Sequence, residues 1–319
     1  MNNNRLAVID TGTNTFRLLI AELQPAAHHG AVSFREIHSE RTITRLGEGV
    51  SVSGLISDAA IKRGIDTLKH FSELIRRHDV CRTSAIATSV FREAQNSAGF
   101  VRLAREETGI EIETVSGRRE AEITAAGMLI DLPPAESSFM IDIGGGSTEL
   151  IFMKDRNIQK IESLDLGVVH LADKYMINDP PGKEDLRRME YEITGKINNV
   201  SEQFRELLTF NTAFIGTAGT ITALAAMSQD LKTFDHERIH KYILTTGAAG
   251  NIFALISRLS STERAEHIPF EPARLDIIVP GTLILLKLME TFEFGEIIVS
   301  NYGLLEGALL DLYKKEHGQ

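Results

Sequence analysis

Residues 139–153, FMIDIGGGSTELIFM, contain an apolar run that ends on Asp142, then three glycines, then Ser147, Thr148 and Glu149 before a second apolar run. Two short apolar runs around a Gly-containing turn read as a β-hairpin. Glycines let such a turn reach positive φ and let a ligand approach the backbone closely. Successive N–H groups in the turn form an anion-binding concavity. A carboxylate at the strand end holds Mg2+, directly or through water. On this reading Gly144, Gly145 and Gly146 cradle phosphate oxygens, Ser147 and Thr148 add hydroxyl donors, and Asp142 holds the metal that neutralises them. Taken once, the pattern is also that of any tight hairpin with a polar turn.

The pattern occurs twice. DTGTNTFRLL (10–19) lies over DIGGGSTELI (142–151), so that Asp10 meets Asp142, Gly12 meets Gly144 and Leu18 meets Leu150. Each copy is strand, Asp, Gly turn, hydroxyl, strand. The offset of 132 residues is too long for a solenoid repeat and implies two related domains, 1–125 and 126–302; the last helix (about 303–319) is expected to pack back on the first. A third element, GTAGTITAL (216–224), is a strand end, a Gly-rich turn and a helix start, a geometry that also binds phosphate or ribose.

Strands and helices alternate along the rest of the chain, so the class is α/β. Ile61, Ile65, Leu68, Phe71, Leu74 and Ile75 fall at helical spacing, with Ser57 as N-cap. Residues 84–89 read as a strand running into a loop, 97–108 and 118–130 as helices, and roughly 184–208 as a long amphipathic helix.

Composition narrows the function. The net charge is −10, and residues 1–125 are balanced with 16 basic and 16 acidic side chains, so residues 126–319 hold the whole acidic excess. Duplex nucleic acid is not expected as a partner, because phosphate backbones need basic patches. A single cysteine, Cys81, rules out an intrachain disulfide and fits a reducing compartment. No apolar run is long enough for a membrane span, and the start, MNNNRLAVIDTG, is cut by Asp10. A cytoplasmic location is expected. No P-loop, no G-x-G-x-x-G and no G-x-S-x-G occurs. The histidines form no metal-binding spacing; His28-His29 reads as a loop, and His236 with His240 as a solvated helix face.

Two phosphate hairpins and a third glycine turn resemble the actin, sugar-kinase and Hsp70-like ATPase superfamily. Finer motifs narrow this. IDTGTNTFRLLI (9–20), ATSVFREAQN (87–96), VSGRREAEI (115–123), IDIGGGSTEL (141–150), LGVVHL (166–171), GTAGTITALAA (216–226), RLDIIVPGTLIL (274–285) and SNYGLLEG (300–307) look like the exopolyphosphatase/guanosine pentaphosphate phosphohydrolase (Ppx/GppA) family. They run in the family's order over nearly the whole chain, in its short form without the C-terminal HD-like domain. The resemblance implies two actin-like (ribonuclease H-like) α/β domains with an active-site cleft between them. It implies Mg2+ as cofactor and inorganic polyphosphate or guanosine pentaphosphate, the alarmone of the stringent response, as substrate. The sequence leaves the oligomeric state open, a homodimer being one option.

By the same resemblance Glu120 is the catalytic base, in the family's S-G-x-x-E-A motif, and partial desolvation should raise its pKa. Asp142 and Glu149 would bind Mg2+, with Glu149 also helping to place the water. Asp10, Thr13, Asn14 and Arg17 would contact phosphates from the first hairpin, Gly144, Gly145, Gly146, Ser147 and Thr148 from the second, and Gly216 and Gly219 from the third turn. Arg92 would bind the substrate chain. Out of family context Glu120 reads as a surface acid early in a helix, Arg92 as a solvated loop residue and Arg17 as an outward strand position. Three positions depart from the family pattern: His170 and Leu305, where Arg is usual, and Asn301, where Asp is common. The other functions these features allow are a kinase or ATPase of the same superfamily, and a non-catalytic sensor of polyphosphate or the alarmone.

Overall fold

A computed structural model describes residues 4–24 and 33–317. His28 and His29 lie outside them. The chain divides into two compact units: Met1–Gly127 with Leu304–Gln319, and Met128–Gly303.

The first unit is built on a five-stranded sheet, β1 (Arg5–Thr11), β2 (Thr15–Gln24), β3 (Ser33–Ile43), β4 (Arg82–Ala87) and β5 (Ile112–Thr114), in the order β3-β2-β1-β4-β5. β1, β2 and β3 are antiparallel, and β4 and β5 run parallel to β1. The sheet is buried on both faces, and for this reason its central strands are continuous apolar runs with no alternation. Ala7 and Ile9 point into one core with Ile65, Leu68 and Phe71 of the helix Asp58–Arg77. Leu6 and Val8 point into the other, with Ile123 of the helix Gly117–Met128 and Leu305 and Leu309 of the last helix, Leu304–His317. The Ser57 side chain caps the helix Asp58–Arg77 by accepting the Ala60 N–H, as its spacing predicts.

The second unit repeats this plan. β6 (Ser137–Ile143), β7 (Thr148–Lys154) and β8 (Asn157–Leu164) are antiparallel; β9 (Thr212–Thr217) is parallel to β6 and β11 (Glu296–Val299) parallel to β9. β10 (Ile243–Thr245) adds an antiparallel edge. The order β10-β11-β9-β6-β7-β8 therefore contains the arrangement of the first sheet. One core holds Phe139, Ile141 and Ile143 of β6 against Ile193 and Ile197 of the helix Lys183–Arg205 and Leu285 and Leu288 of the helix Ile278–Thr291. Two actin-like α/β domains are thus present.

The sequence repeat is a repeat of register. Asp10 pairs with Arg17 and Thr11 with Phe16 across β1 and β2; Asp142 pairs with Glu149 and Ile143 with Thr148 across β6 and β7. The turns close alike, Gly12 N–H donating to Thr15 O at 3.1 Å and Gly144 N–H to Ser147 O at 2.9 Å.

LGVVHL opens a helix, Val168–Tyr175. Two local expectations differ from the structure. The segment after β4 is a one-turn helix, Ser89–Glu93, and not a loop. His236 and His240 flank a single turn, His236–Ile239, and face Asn301: His236 Nδ1 meets Asn301 Nδ2, and Asn301 N–H donates to His240 Nδ1 at 3.3 Å. No helix among the described residues is long and apolar enough to cross a membrane.

Candidate active site

In each unit the segment after the third strand braces the turn of the first hairpin. Gly47 N–H donates to Thr13 O at 2.8 Å, and Thr44 and Arg45 N–H donate to Asn14 O at 3.1 and 2.9 Å. In the second unit Val168 and Val169, opening their helix, donate to the carbonyls of Gly144 (3.1 Å) and Gly145 (2.8 Å). Each brace includes a Leu-Gly pair, Leu46-Gly47 and Leu166-Gly167, with the leucine buried. Both glycines are steric necessities. A Cβ on Gly167 would overlap the Gly145 oxygen and the Gly146 Cα, and one on Gly47 would overlap the Thr13 methyl. With the turn carbonyls tied back, the amides of Thr13, Asn14, Gly145 and Gly146 have no acceptor among the described residues. Two anion-binding concavities result.

Strand alternation decides which side chains join them. On β1, residues 6, 8 and 10 share the face covered by the helices Gly117–Met128 and Leu304–His317. Asp10 therefore stands on that face, beside its cross-strand partner Arg17, and Arg17 in turn pairs with Arg41 on β3. The Asp10 Oδ1 atom is shut off from solvent and takes no hydrogen bond. Burial pushes the Asp10 pKa up to about 7; Arg17 pulls it down, while Glu120 and Glu306 push it further up.

Glu120 lies in the first turn of its helix and is only 7% exposed, which overturns the surface reading its sequence context suggests. Burial raises its pKa above the ordinary glutamate range, against the opposing pull of Arg92. Arg92 Nη1 donates to Glu120 Oε2 at 2.7 Å and to Val115 O at 3.0 Å. Arg92 is thus fixed to Glu120, a partner the sequence did not suggest.

In the second unit Asp142, Glu149 and Ser163 form a row across β6, β7 and β8. Glu149 is buried, and its Oε1 accepts from Ser147 Oγ and Ser163 Oγ, both at 2.8 Å. Three assignments are corrected here. Thr148 lies one residue out of phase with this row; its hydroxyl is fully buried and donates to Leu166 O, so it braces the Leu-Gly segment and does not meet phosphate. The Thr13 hydroxyl is likewise buried, 2.8 Å from Ser89 Oγ, leaving only its amide for an anion. Gly216 is a packing glycine, since a Cβ would stand 2.5 Å from Ile297 Cδ1 and 2.6 Å from Ile221 Cδ1.

Gly219 follows Ala218, which is held at φ 73°, and its Cβ position is filled by the Arg274 guanidinium, itself paired with the buried Glu271 at 2.6 Å. Sequence reading missed Arg274, Arg41, Ser163 and Glu306. Arg274 heads the motif RLDIIVPGTLIL and Glu306 stands in SNYGLLEG, while Ser163 and Arg41 follow from strand register. Of the family departures, Leu305 is a core residue of the first unit, and the Asn301 contacts with the two histidines are given above.

A family model described as the Ppx/GppA phosphatase family matches residues 26–316. A bifunctional 3-dehydroquinate synthase/phosphatase of Fusobacterium nucleatum is 32% identical over 97% of this chain and 47% of its own length, so the chain spans about half of that relative. Exopolyphosphatase 2 of Mycobacterium tuberculosis is 29% identical over 97% of this chain and 98% of its own. The crystal structure of the Aquifex aeolicus member of the Ppx/GppA family is 30% identical, with a TM-score of 0.79 and 98% of each chain covered. With its motifs, its repeated fold and these likenesses, the chain belongs to the Ppx/GppA phosphatase family.

Proposed function

We propose that this protein is an exopolyphosphatase that releases orthophosphate from the end of inorganic polyphosphate, and that guanosine pentaphosphate, with the same phosphoanhydride at its 5′ end, is a second substrate. The observation that carries the reading is Glu120: a nearly buried carboxylate of raised pKa, oriented by Arg92. A carboxylate whose pKa is moved towards the working pH is an effective general base. Glu120 takes a proton from water as the water oxygen bonds to the terminal phosphorus. The bond to the bridging oxygen breaks, and the shortened chain leaves as an anion. Phosphoryl transfer depends mainly on positioning and charge neutralisation, and here the chain offers the free turn amides and the Arg17 guanidinium.

Asp142 and Glu149 fit a hard divalent cation. They are direct cross-strand neighbours, where like charges destabilise each other, and Glu149 is only 1% exposed. Mg2+ bound there would neutralise charge on the phosphate oxygens. Ser147 and Ser163 hold the Glu149 carboxylate in place for that purpose.

The test is orthophosphate release, with Mg2+ and with EDTA, from short polyphosphate, long polyphosphate, guanosine pentaphosphate and ATP. Glu120→Gln should lower release by roughly 10²–10⁴-fold. Release at the wild-type rate by that variant sinks the mechanism. Binding of polyphosphate without turnover would favour the sensor reading, and ATP consumption only with an added acceptor the kinase.

A further inference from the structure

The second unit carries a cavity that the reaction described above does not use. Its volume is about 680 Å³, inside the range of roughly 300–1,000 Å³ usual for small-molecule sites. Thr212, the first residue of β9, and Glu296, the first of β11, line it. The third glycine turn follows the other end of β9, so the length of that strand, about 17 Å, separates the two places.

The lining combines aromatic rings with unmatched charge. Phe214 and Phe294 stack with ring centroids 4.4 Å apart and planes 10° apart. Phe210, on the same lining, is fully exposed and packs against nothing. The charged side chains that line it are Arg205, Glu293 and Glu296, all exposed and none with an ionic partner among the described residues. Arg205 Nε and Nη2 donate to Thr291 O at 3.2 and 2.8 Å, which anchors the guanidinium and leaves Nη1 to other acceptors. The segment bearing Glu293 is set in place beforehand: Phe294 N–H donates to Met289 O at 2.9 Å, and Thr246 donates from its N–H to Gly295 O at 2.9 Å and from its hydroxyl to Phe294 O at 3.0 Å. Glu293 itself stands at φ 59°, directly after the C-cap of the helix Ile278–Thr291, where glycine is the usual residue. A glutamate there costs backbone strain, and its side chain makes no hydrogen bond or ion pair among the described residues that would repay it.

We propose that this cavity binds a free dibasic amino acid of the lysine type. Its two ammonium groups meet Glu293 and Glu296, its carboxylate meets Arg205, and its methylene stem lies along the phenylalanine rings, whose faces also attract a cation. The lining holds two negative charges and one positive, and the ligand holds the reverse. Other ligand classes match less of it. An anion meets two carboxylates, a neutral ring leaves all three charges unanswered, and a plain diamine brings nothing to the guanidinium.

Calorimetric titration of the full chain tests this with lysine, cadaverine (lysine without its carboxylate), norleucine (lysine without its side-chain ammonium) and a lysine-rich peptide. Lysine should bind saturably at millimolar concentration or below, and cadaverine and norleucine should each bind about fivefold more weakly, the worth of one partly exposed ion pair. Arg205→Gln should weaken lysine by about the same factor and leave cadaverine unchanged. Glu293→Gly should weaken lysine yet melt at or above wild type, because glycine suits φ 59°. No saturable binding of lysine, cadaverine binding as well as lysine, or lysine affinity unmoved in both variants overturns the proposal. A lysine-rich peptide that binds more tightly than lysine also overturns it, since the cavity would then serve a polypeptide. None of these readouts involves phosphate release, so this proposal and the functional reading fail independently.

Discussion

The two bracing glycines give a paired prediction because the atoms in their way differ. A methyl at position 167 would overlap backbone, the carbonyl of Gly145 and the Cα of Gly146, which no rotamer change can move. At position 47 it would overlap the Thr13 methyl, the end of a side chain. Overpacking of a tight site costs about 1–3 kcal/mol. Restoring contact distance at residue 167 would shift the glycine turn by about 1 Å, and a displacement of that size at a reacting site costs about 10²-fold in rate. Gly167→Ala should therefore lose about 10²-fold in kcat/KM for tripolyphosphate. Gly47→Ala should lose less, and Thr13→Ser in that background should restore it: serine drops the methyl and keeps the hydroxyl that meets Ser89. The assay is phosphate release for both glycine variants, the Gly47/Thr13 double variant and Thr13→Ser alone, with thermal melting as the check on folding. Gly167→Ala at wild-type activity, or a double variant no better than Gly47→Ala, would refute the bracing argument.

Asp10 and Glu149 each add one. The Asp10 pKa is raised from 3.8 to about 7, so between those values the folded state holds a proton that the unfolded chain has released. Stability falls as pH rises through that window and levels off above it, by about 4 kcal/mol in all. Asp10→Asn removes this dependence, so the stability difference between variant and wild type should swing in the variant's favour by that amount from pH 4 to pH 8, read from denaturant midpoints; parallel pH curves would refute it. Glu149→Gln relieves the acid pair across β6 and β7 and keeps an oxygen for the two serine hydroxyls. It should melt slightly higher than wild type in EDTA and gain little from added Mg2+, whereas wild type at 100 times its dissociation constant gains about 2.7 kcal/mol. An unchanged Mg2+ response would remove Glu149 from the metal site.

The hairpins were legible because a repeat fixes both ends of a strand pair at once, and the helix Asp58–Arg77 because one face is apolar and its cap is in sequence. Ser89–Glu93 was not, since one turn of helix is stabilised by its packing and not by its own residues. β10, three residues at an edge, gives no periodicity to read. At the site, Thr148 could have been set aside from sequence alone: it neighbours Glu149 in a strand, and adjacent strand residues face opposite ways. Glu120 could not. It is paired with Arg92, 28 residues back in the chain, and the field at Asp10 depends on Glu306 near the far end of the chain. Only resemblance to a family carries such information in a single sequence.

The two repeats share a backbone and differ in charge at matched positions, and the difference is what the proposed chemistry needs. Across three strands the first unit sets Asp10, Arg17 and Arg41 side by side, where the second sets Asp142, Glu149 and Ser163. An acid faced by arginines, with free amides at the turn beside it, accepts an anion directly. An acid faced by another acid, with hydroxyls fixing the second, accepts a cation. A phosphoanhydride brought to such a chain as its magnesium salt carries both charges. On the proposed function, the exchanges at two matched positions, Arg17 for Glu149 and Arg41 for Ser163, are what would set a phosphate clamp apart from a metal holder in two copies of one hairpin.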